Sequence, residues 1–329
     1  MKTVDSAGRE VHTHVRIYSD GQHEGSKQGF VSYVVAVATL GLYVGWLQFL
    51  LALLIASWHS RLALTLLIAI MGTTLLPLKP LLWKRFCDAW VFKCWREYFK
   101  FSYLFEEALD HNKRYIFVEF PHGVFPMGPL LAGTMCTKMF PEFDIFSLAA
   151  SSVFNIPGWR HFSTWIGSVP ATSSNFKRLL RKGSVAVIVG GIAEIFMGSA
   201  VCENAMVLTR KGFVRVAVEE GIDGGIVPVY HMGNSLILDW WPQWLSGPSR
   251  RLRAALGVQY GQWGLPLPRS RPICMVMGKP IAVNKFASGD PGYEAEVDRV
   301  HALVVKELKE LYDRHKGMYG WSDRPLVLH

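Results

Sequence analysis

A histidine directly after a short apolar run is the residue of this sequence best suited to acid–base chemistry. Tyr115–Phe120 combines aromatic and β-branched residues, which predicts a buried strand. Pro121 ends that strand because proline has no amide hydrogen for the ladder. His122 then stands at the strand's carboxyl end, where open α/β sheets collect their chemistry. Its imidazole can take a proton from an alcohol near neutral pH, although a turn histidine bound to backbone groups is an equal alternative.

A second chemical pattern follows another predicted strand, 184–189. Gly190 and Gly191 permit close backbone approach, and their amides are suited to holding an anion or an oxyanion. Glu194 is either a surface carboxylate or the acid that orients an imidazole and stabilises its charge. The pattern matches neither a Walker loop nor a dinucleotide fingerprint.

His231 is a second candidate site histidine, for which a structural role is the favoured interpretation. It follows the predicted strand 226–230, and Pro228 indicates that this strand lies at an edge or is irregular. The next residues, through Asn234, lie at the strand's end.

Basic side chains offer possible phosphate contacts. A helix capped by Ser174 and running through Arg181 carries four of them, including Lys177, and a solvated helix face is the alternative explanation. Arg210 and Lys211 open a later helix and are further candidates for the same role.

Two long uncharged segments near the amino terminus predict a membrane-embedded helical hairpin. Residues 30–58 and 62–78 are joined by three residues, and Arg61 is the one basic residue in that turn. Because basic residues flank both outer ends, the positive-inside rule puts both ends of the hairpin in the cytosol. A buried core hairpin is the alternative. Residues 1–29 are polar and predicted to be disordered, and residues 80–329 form the predicted cytosolic catalytic domain.

The rest of the pattern predicts an α/β domain with a mixed central sheet flanked by helices. Further strands are expected at 143–148 and 273–277, and helices at 127–138, 159–166 and 293–316. Residues 85–112 have aromatic residues at helical spacing, which indicates one or two amphipathic helices on the membrane or the domain. The tryptophan-rich stretch 236–245 resembles an interfacial patch.

The composition and net charge of the chain limit the chemical classes of partner that it is expected to bind. The chain has 329 residues, is half apolar and carries a formal charge of +9, which favours an anionic partner such as a membrane surface. Nucleic-acid modules are not evident. The five cysteines are scattered, which argues against a disulfide framework or a zinc site, and no metal site is predicted.

The order of these motifs resembles the type 2 diacylglycerol acyltransferase family, which includes monoacylglycerol and wax-alcohol acyltransferases. The resemblance covers about residues 30–320. The matching motifs are Phe120-Pro121-His122-Gly123, then Pro157, Arg160, Gly167 and residues 169–172, Gly190-Gly191-x-x-Glu194, Arg210-Lys211-Gly212-Phe213, Val227-Pro228-Val229, Gly278-Lys279-Pro280-Ile281 and a helix with His301.

The resemblance implies a glycerolipid-acyltransferase-like fold and transfer of an acyl group from acyl-coenzyme A to diacylglycerol, without a cofactor. It implies His122 as general base, although Phe120 replaces the first histidine of the family's His-Pro-His-Gly. Related enzymes place an aspartate where Met127 stands, so Glu194 is the carboxylate expected to orient His122. Pro121, Gly123, Gly190 and Gly191 are expected at the substrate or oxyanion.

The implied location is the endoplasmic reticulum membrane and lipid droplets, with a homodimer as one possible assembly. Departures from the family pattern at 231–234 and at Gln262 bear on the acyl acceptor, so monoacylglycerol and long-chain alcohols stay open as substrates. A non-catalytic lipid-binding protein with the same fold is the alternative of another class. A lipid hydrolase is disfavoured because the sequence lacks a Gly-x-Ser-x-Gly elbow.

Overall fold

Strand segments distributed along the whole chain build the core of this computed structural model, which describes residues 2–4, 10–79, 81–142, 144–252 and 255–329. The strands are β1 Lys2–Val4, β2 Glu10–His12, β3 Ile17–Tyr18, β4 Ser102–Phe105, β5 Tyr115–Phe120, β6 Ile145–Ala149, β7 Ser168–Pro170, β8 Ser184–Ile188, β9 Glu203–Ala205, β10 Gly225–Met232, β11 Asp239–Trp241, β12 Val258–Tyr260, β13 Cys274–Met277 and β14 Leu326–Leu328.

The α-helices cover the two faces of the central sheet and form the amino-terminal apolar region. They are α1 Phe30–Val44, α2 Trp46–Ala56, α3 Arg61–Gly72, α4 Lys84–Cys87, α5 Trp90–Tyr98, α6 Met127–Met139, α7 Trp159–Trp165, α8 Ser173–Leu180, α9 Ile192–Ile195, α10 Gly212–Glu220, α11 Ser246–Leu252 and α12 Tyr293–His315.

The central sheet has eight strands in the order β3-β4-β13-β10-β5-β8-β6-β7. The five strands from β10 to β7 are mutually parallel, whereas β13 is antiparallel to β10 and β3 is antiparallel to β4. The predicted mixed sheet is therefore confirmed. Parallel pairing brings the carboxyl ends of β10, β5 and β8 to one edge of the sheet, which is where the candidate residues follow each strand.

Two apolar clusters fill the space on either side of the sheet. On one face, Ile116 and Val118 pack with side chains of α8, α10 and α12. On the other face, Tyr115 and Phe117 pack with α1, α5 and α6. Because β5 is covered on both faces, all six of its residues are buried. His122 consequently follows a strand that is buried along its whole length.

Pro228 lies inside β10, between β5 and β13, so the strand is not at an edge of the sheet. Its pairing is irregular, as the other branch of the prediction expected, because the ladder with β13 stops at Val229 and resumes only at a bridge between Ile226 and Ile281. The ladder tolerates the proline because its pairing with β13 starts one residue later, at Val229. The Pro228 carbonyl still accepts a hydrogen bond from the amide of Gly278. The missing N–H therefore falls in the break between this ladder and the bridge at Ile226, where its cost is small.

The apolar segment 30–78 folds into three helices rather than two long ones. Gly45 separates α1 from α2, which are bent by 74° relative to each other. A side chain at Gly45 would lie 2.8 Å from Cγ of Pro266, so the bend is packed against the loop that follows β12. Within the described residues no single helix is long and apolar enough to cross a bilayer; only the bent pair α1 and α2 together meets that requirement.

Part of the predicted disordered segment 1–29 is structured. Ile17–Tyr18 pairs with β4, and the Asp20 carboxylate accepts two hydrogen bonds from the fully buried guanidinium of Arg96, at 2.7 and 2.9 Å. A buried charged pair of this kind compensates the desolvation of both groups. Composition alone could not reveal it, because the partner lies 76 residues further along the chain.

Two other local predictions need correction. The expected amphipathic helix at 85–112 ends early: after α4 and α5 the chain enters β4, whose residues pair with β13. Helix α8 is capped by Thr172, not Ser174, since the Thr172 hydroxyl accepts the Asn175 amide at 3.2 Å. The predicted strand 143–148 is observed as β6, and its first predicted residue, 143, lies outside the described residues.

Candidate active site

His122 lies in a loop between β5 and α6, with its imidazole half-buried. Its Nδ1 is 2.8 Å from the carbonyl oxygen of Gly123. Because a carbonyl can only accept, Nδ1 must carry the proton, and Nε2 is then the basic nitrogen of the neutral ring. Burial lowers the pKa of His122 from its ordinary value of 6.5, so the ring is neutral at pH 7. The sequence-predicted base is thus in a state able to accept a proton.

Glu194 stands beside this loop, but its carboxylate does not hold the imidazole. It accepts the backbone amide of His122 at 2.5 Å and that of Met206 at 2.7 Å, and the Gly123 amide also stabilises its charge. The expected carboxylate–imidazole contact is therefore replaced by a contact to the backbone that carries the imidazole. A backbone carbonyl, not a carboxylate, fixes the ring tautomer.

Burial dominates the electrostatics of Glu194. Its side chain is almost completely shielded, and desolvation raises its pKa to about 7 even though the amides of Met206, His122 and Gly123 lower it. Glu203 raises the pKa further. Glu194 consequently binds a proton far more readily near neutral pH than an exposed glutamate does, and it does so next to the loop of the candidate base.

The two glycines before Glu194 are required for different reasons. A Cβ on Gly190 would lie 1.8 Å from the carboxyl carbon of Glu194, so the carboxylate occupies the space that a side chain would need. Gly191 has φ 59° and ψ −150°, a conformation that only glycine adopts readily, and it directly precedes α9. Both glycines thus position Glu194. As for the predicted oxyanion donors, Pro121 has no amide hydrogen, and the Gly123 amide serves Glu194.

Asn234 clamps the other side of the His122 loop. Its Nδ2 lies 3.3, 3.1 and 3.3 Å from the carbonyl oxygens of Pro121, His122 and Phe125, and its Oδ1 accepts the Gly128 amide at 2.8 Å. Asn234 was expected at the end of this strand but without a role in the site. The signal was present, because β10 and β5 are neighbouring parallel strands whose carboxyl ends meet.

A second buried carboxylate, Glu203, braces the site from β9. It accepts hydrogen bonds from Ser235 and Arg324 at 2.7 Å each and from the Tyr230 hydroxyl at 3.0 Å. Arg324 also donates to the carbonyls of Ser199, Ala200 and Cys202. The segment before β14 therefore holds both the turn after β10 and the chain that follows α9.

An open depression lies against this assembly. Its walls come from the His122 loop, from Glu194 and the chain after it, and from the turn after β10. The lining residues are Pro121, Gly123, Val124, Glu194, Met197, Gly198, Ser199, Cys202, Asn204 and Ser235. The imidazole is not among them, so the depression reaches the loop from the side of Glu194.

The four basic candidates for phosphate binding are not brought together. Lys177 and Arg181 form ion pairs with Glu219 and Glu220, at 2.5 and 3.7 Å, near the amino-terminal ends of the parallel strands. This edge is opposite to that of His122, so the structure argues against their predicted role.

Arg210 and Lys211 lie on the side of the site, directly before α10. Arg210 is exposed four residues after Met206, whose amide binds Glu194. Lys211 forms an ion pair with Asp298 at 2.6 Å. Of the four candidates, Arg210 consequently has the position best suited to binding a phosphate group at this site.

His231 is fully buried under α6. Neither ring nitrogen has a hydrogen-bond partner among the described residues, and Nε2 is 3.7 Å from the Glu119 carboxylate. A Cβ on Gly128 would lie 2.7 Å from the ring, so the imidazole packs directly against the first turn of α6. This location fits the structural role favoured for His231.

Comparison with known proteins extends these observations. The chain is 28% identical over 264 residues to human diacylglycerol O-acyltransferase 2-like protein 6, covering 72% of this chain and 76% of that protein. It is 29% identical to diacylglycerol O-acyltransferase 2 of Danio rerio, covering 74% and 72%. It is also 29% identical to diacylglycerol O-acyltransferase 2A of Umbelopsis ramanniana, covering 74% and 73%.

Among solved structures, the 1-acyl-sn-glycerophosphate acyltransferase PlsC of Thermotoga maritima aligns with a TM-score of 0.42 and 12% identity, over 85% of this chain and 96% of that one. A family model described as diacylglycerol acyltransferase matches residues 79–329, which include His122, Glu194, Asn234 and Arg324. The resemblance inferred from the motif order is thereby confirmed: the chain belongs to the diacylglycerol acyltransferase family.

Proposed function

We propose that this protein transfers the acyl chain of acyl-coenzyme A to the free hydroxyl of diacylglycerol, giving triacylglycerol and coenzyme A, with His122 as general base. The observation that carries the proposal is the neutral imidazole, with Nδ1 fixed on the Gly123 carbonyl, at the carboxyl end of β5 in a member of this family. This arrangement leaves Nε2 as the nitrogen that accepts a proton.

The reaction needs no covalent enzyme intermediate, because a thioester is already activated. Nε2 of His122 removes the hydroxyl proton as the acceptor oxygen attacks the thioester carbonyl carbon. The tetrahedral intermediate collapses by breaking the carbon–sulfur bond, and the imidazolium protonates the leaving thiolate. The proton lost by the alcohol thus ends on coenzyme A. We assign oxyanion stabilisation to backbone amides of this site, with Gly191 as the first candidate.

Glu194 acts in this account as a positioning residue. It holds the His122 amide and the Met206 amide together, so it fixes the loop on which the imidazole stands. Arg210 is our first candidate for the coenzyme A phosphates, with Lys211 as a partner released from Asp298.

The acceptor and acyl chain reach the site from a membrane. We propose that α1 to α3 anchor the protein in the endoplasmic reticulum membrane and at lipid droplets, with the catalytic domain and both termini in the cytosol. Support comes from the exposed apolar side chains of these helices, among them Leu51, Leu54 and Ile55. Monoacylglycerol and long-chain alcohols remain alternative acceptors, and a homodimer remains a prediction.

Activity in microsomes tests the reaction and the base together. We would express wild type, His122→Ala and His23→Ala in a host without its own neutral-lipid synthesis, and supply labelled acyl-coenzyme A with diacylglycerol, monoacylglycerol or a long-chain alcohol. His23 is an exposed histidine outside the site and serves as the matched control. We expect triacylglycerol from wild type and His23→Ala, and at least about a hundredfold less from His122→Ala. Full activity of His122→Ala would remove His122 from the mechanism, and release of free fatty acid alone would indicate a hydrolase.

A further inference from the structure

An exposed row of tryptophans lies outside the apolar helices. We call it the tryptophan lip and define it as Trp241, Trp244 and Trp263, whose residues are 63, 74 and 68% exposed. Trp241 is in β11, opposite Val258 of β12, and the other two rings lie beyond the two ends of this ribbon. Soluble surfaces seldom carry several large exposed rings on one small element.

The two faces of the β11–β12 ribbon differ sharply. On the inner face, Trp240 packs edge-on against Phe196, and Gln259 donates to the carbonyl of Val44 at 2.7 Å. The outer face carries Trp241 and Val258, both exposed, and one carboxylate, Asp239, which is paired with Arg269 at 2.5 Å. The outer face, which also carries Tyr260, is therefore apolar apart from a neutralised ion pair and the tyrosine hydroxyl.

The turn that carries Trp263 is held in a strained conformation. Trp263 has φ 55°, which is unusual for a bulky residue. The flanking backbone enforces it, because the amides of Gly261 and Gln262 donate to the carbonyls of Leu265 and Leu267, each at 2.7 Å. The ring is thus fixed outwards by the fold rather than left on a loose loop.

The lip is continuous with the apolar helices. Pro266, just after the Trp263 turn, packs against the bend at Gly45, and Val44 at the end of α1 receives the Gln259 hydrogen bond. Beyond that bend, α2 exposes apolar side chains such as Leu47 and Phe49. A single planar apolar medium can cover α2 and the lip together, whereas a protein partner would need a separate matching surface.

We propose that the tryptophan lip is a second membrane contact, seated at the headgroup level of the same lipid surface that takes up α1 to α3. Tryptophan is suited to this depth because its ring is apolar and its N–H remains in the polar layer. Arg251, exposed at the end of α11 near the lip, adds attraction to anionic headgroups. This inference rests on the proposed function, because it assumes that the substrate arrives from a membrane.

The lip also connects the membrane to the site. Phe196, which packs on Trp240, directly follows α9, the helix that carries Glu194, and the next residues line the depression. When the lip lies in the membrane–water interface, the mouth of the depression therefore faces the lipid surface. The lip would then form the rim through which an acceptor lipid enters.

Depth-dependent quenching tests the contact directly. An environment-sensitive naphthyl amino acid is incorporated at position 244, or at position 303 as control, in the full chain reconstituted into phosphatidylcholine vesicles with dibrominated acyl chains. Leu303 is exposed on α12, which covers the sheet face opposite to α1. We expect quenching at position 244 at least about threefold stronger than at position 303. Equal quenching at the two positions would overturn the proposal. A fluorescence change at position 244 that follows protein concentration, and not the presence of lipid, would also overturn it, because it would indicate that a second copy of the chain covers the lip.

A kinetic measurement separates the lip from the reaction itself. We expect the triple variant Trp241→Gln, Trp244→Gln, Trp263→Gln to raise KM for vesicle-borne diacylglycerol about tenfold, with turnover of a soluble short-chain diacylglycerol unchanged. An unchanged KM would overturn the entry role. Absence of transfer by wild type would refute the proposed function alone, since the quenching result still decides whether the lip contacts lipid.

Discussion

Two buried glutamates flank the depression and are stabilised in opposite ways. Glu194 and Glu203 are 3 and 1% exposed. Glu203 faces a guanidinium and two hydroxyls, so its charge is paired. Glu194 accepts backbone amides and forms no ion pair within the part of the chain that the structure describes, and burial raises its pKa to about 7. The difference indicates that Glu203 stabilises the fold through a paired charge, whereas Glu194 holds the His122 loop at a cost in folding stability.

Removing the cation of the paired glutamate should have the largest effect on stability. Arg324→Gln leaves Glu203 buried without a counter-charge, and we expect the free energy of unfolding to fall by about 3–5 kcal/mol. Denaturant unfolding in detergent measures this loss. Arg215→Gln is the matched control, because it breaks a more exposed pair with Glu294 and should cost less than about 1 kcal/mol. Equal losses in the two variants would show that Glu203 does not depend on Arg324.

Glu194, the glutamate without an ion-pair partner among the described residues, should change how the free energy of unfolding depends on pH. Glu194 has an ordinary pKa of 4.5 when unfolded and about 7 when folded. The folded protein therefore binds the extra proton between these values, and stability falls as pH rises through this window. Relative to Glu194→Gln, the free energy of unfolding of wild type should decrease by up to about 3 kcal/mol between pH 4.5 and 7. Parallel pH profiles of the two proteins would contradict the unpaired state.

A smaller loss of stability is expected when Asn234, which holds the His122 loop, is replaced. Asn234→Ala frees the Gly128 amide and the carbonyls around His122, which should cost about 1–3 kcal/mol. Because the loop then no longer holds the His122 imidazole in a fixed position, we expect kcat to fall about tenfold with little change in KM. Asn112→Ala, at an exposed asparagine in another loop, is the control. An unchanged kcat in Asn234→Ala would limit the clamp to a structural role.

The sequence predicted the elements whose signal is local. Strand β5 and helix α12 appear where periodicity indicated them, and His122 falls at the carboxyl end of β5 as expected. Glu194 was expected near His122, and it is near, but its contact is to the backbone amide and not to the ring. Side-chain periodicity carries no information on which atom of a neighbour a carboxylate will reach.

The remaining misses depend on long-range packing. Strand β4 has the aromatic spacing of the helix before it and becomes a strand only through pairing with β13. The ion pair between Lys177 and Glu219 joins α8 to α10. The spacing of basic residues within α8 could not show that the Lys177 ammonium is already paired with a carboxylate of another helix. Arg324 reaches Glu203 across 121 positions of sequence, and no local motif marks either residue.

The most direct test of the account is the pH dependence of kcat/KM for acyl transfer in wild type and in Glu194→Gln. If the His122 imidazole is the base and Glu194 only positions its backbone, both proteins should show a rate that rises with pH. The midpoint should lie below 6.5, because burial lowers the His122 pKa, and the plateau of the variant should be lower. A midpoint near 7 in wild type that disappears in Glu194→Gln would instead assign the proton transfer to Glu194 and contradict the account.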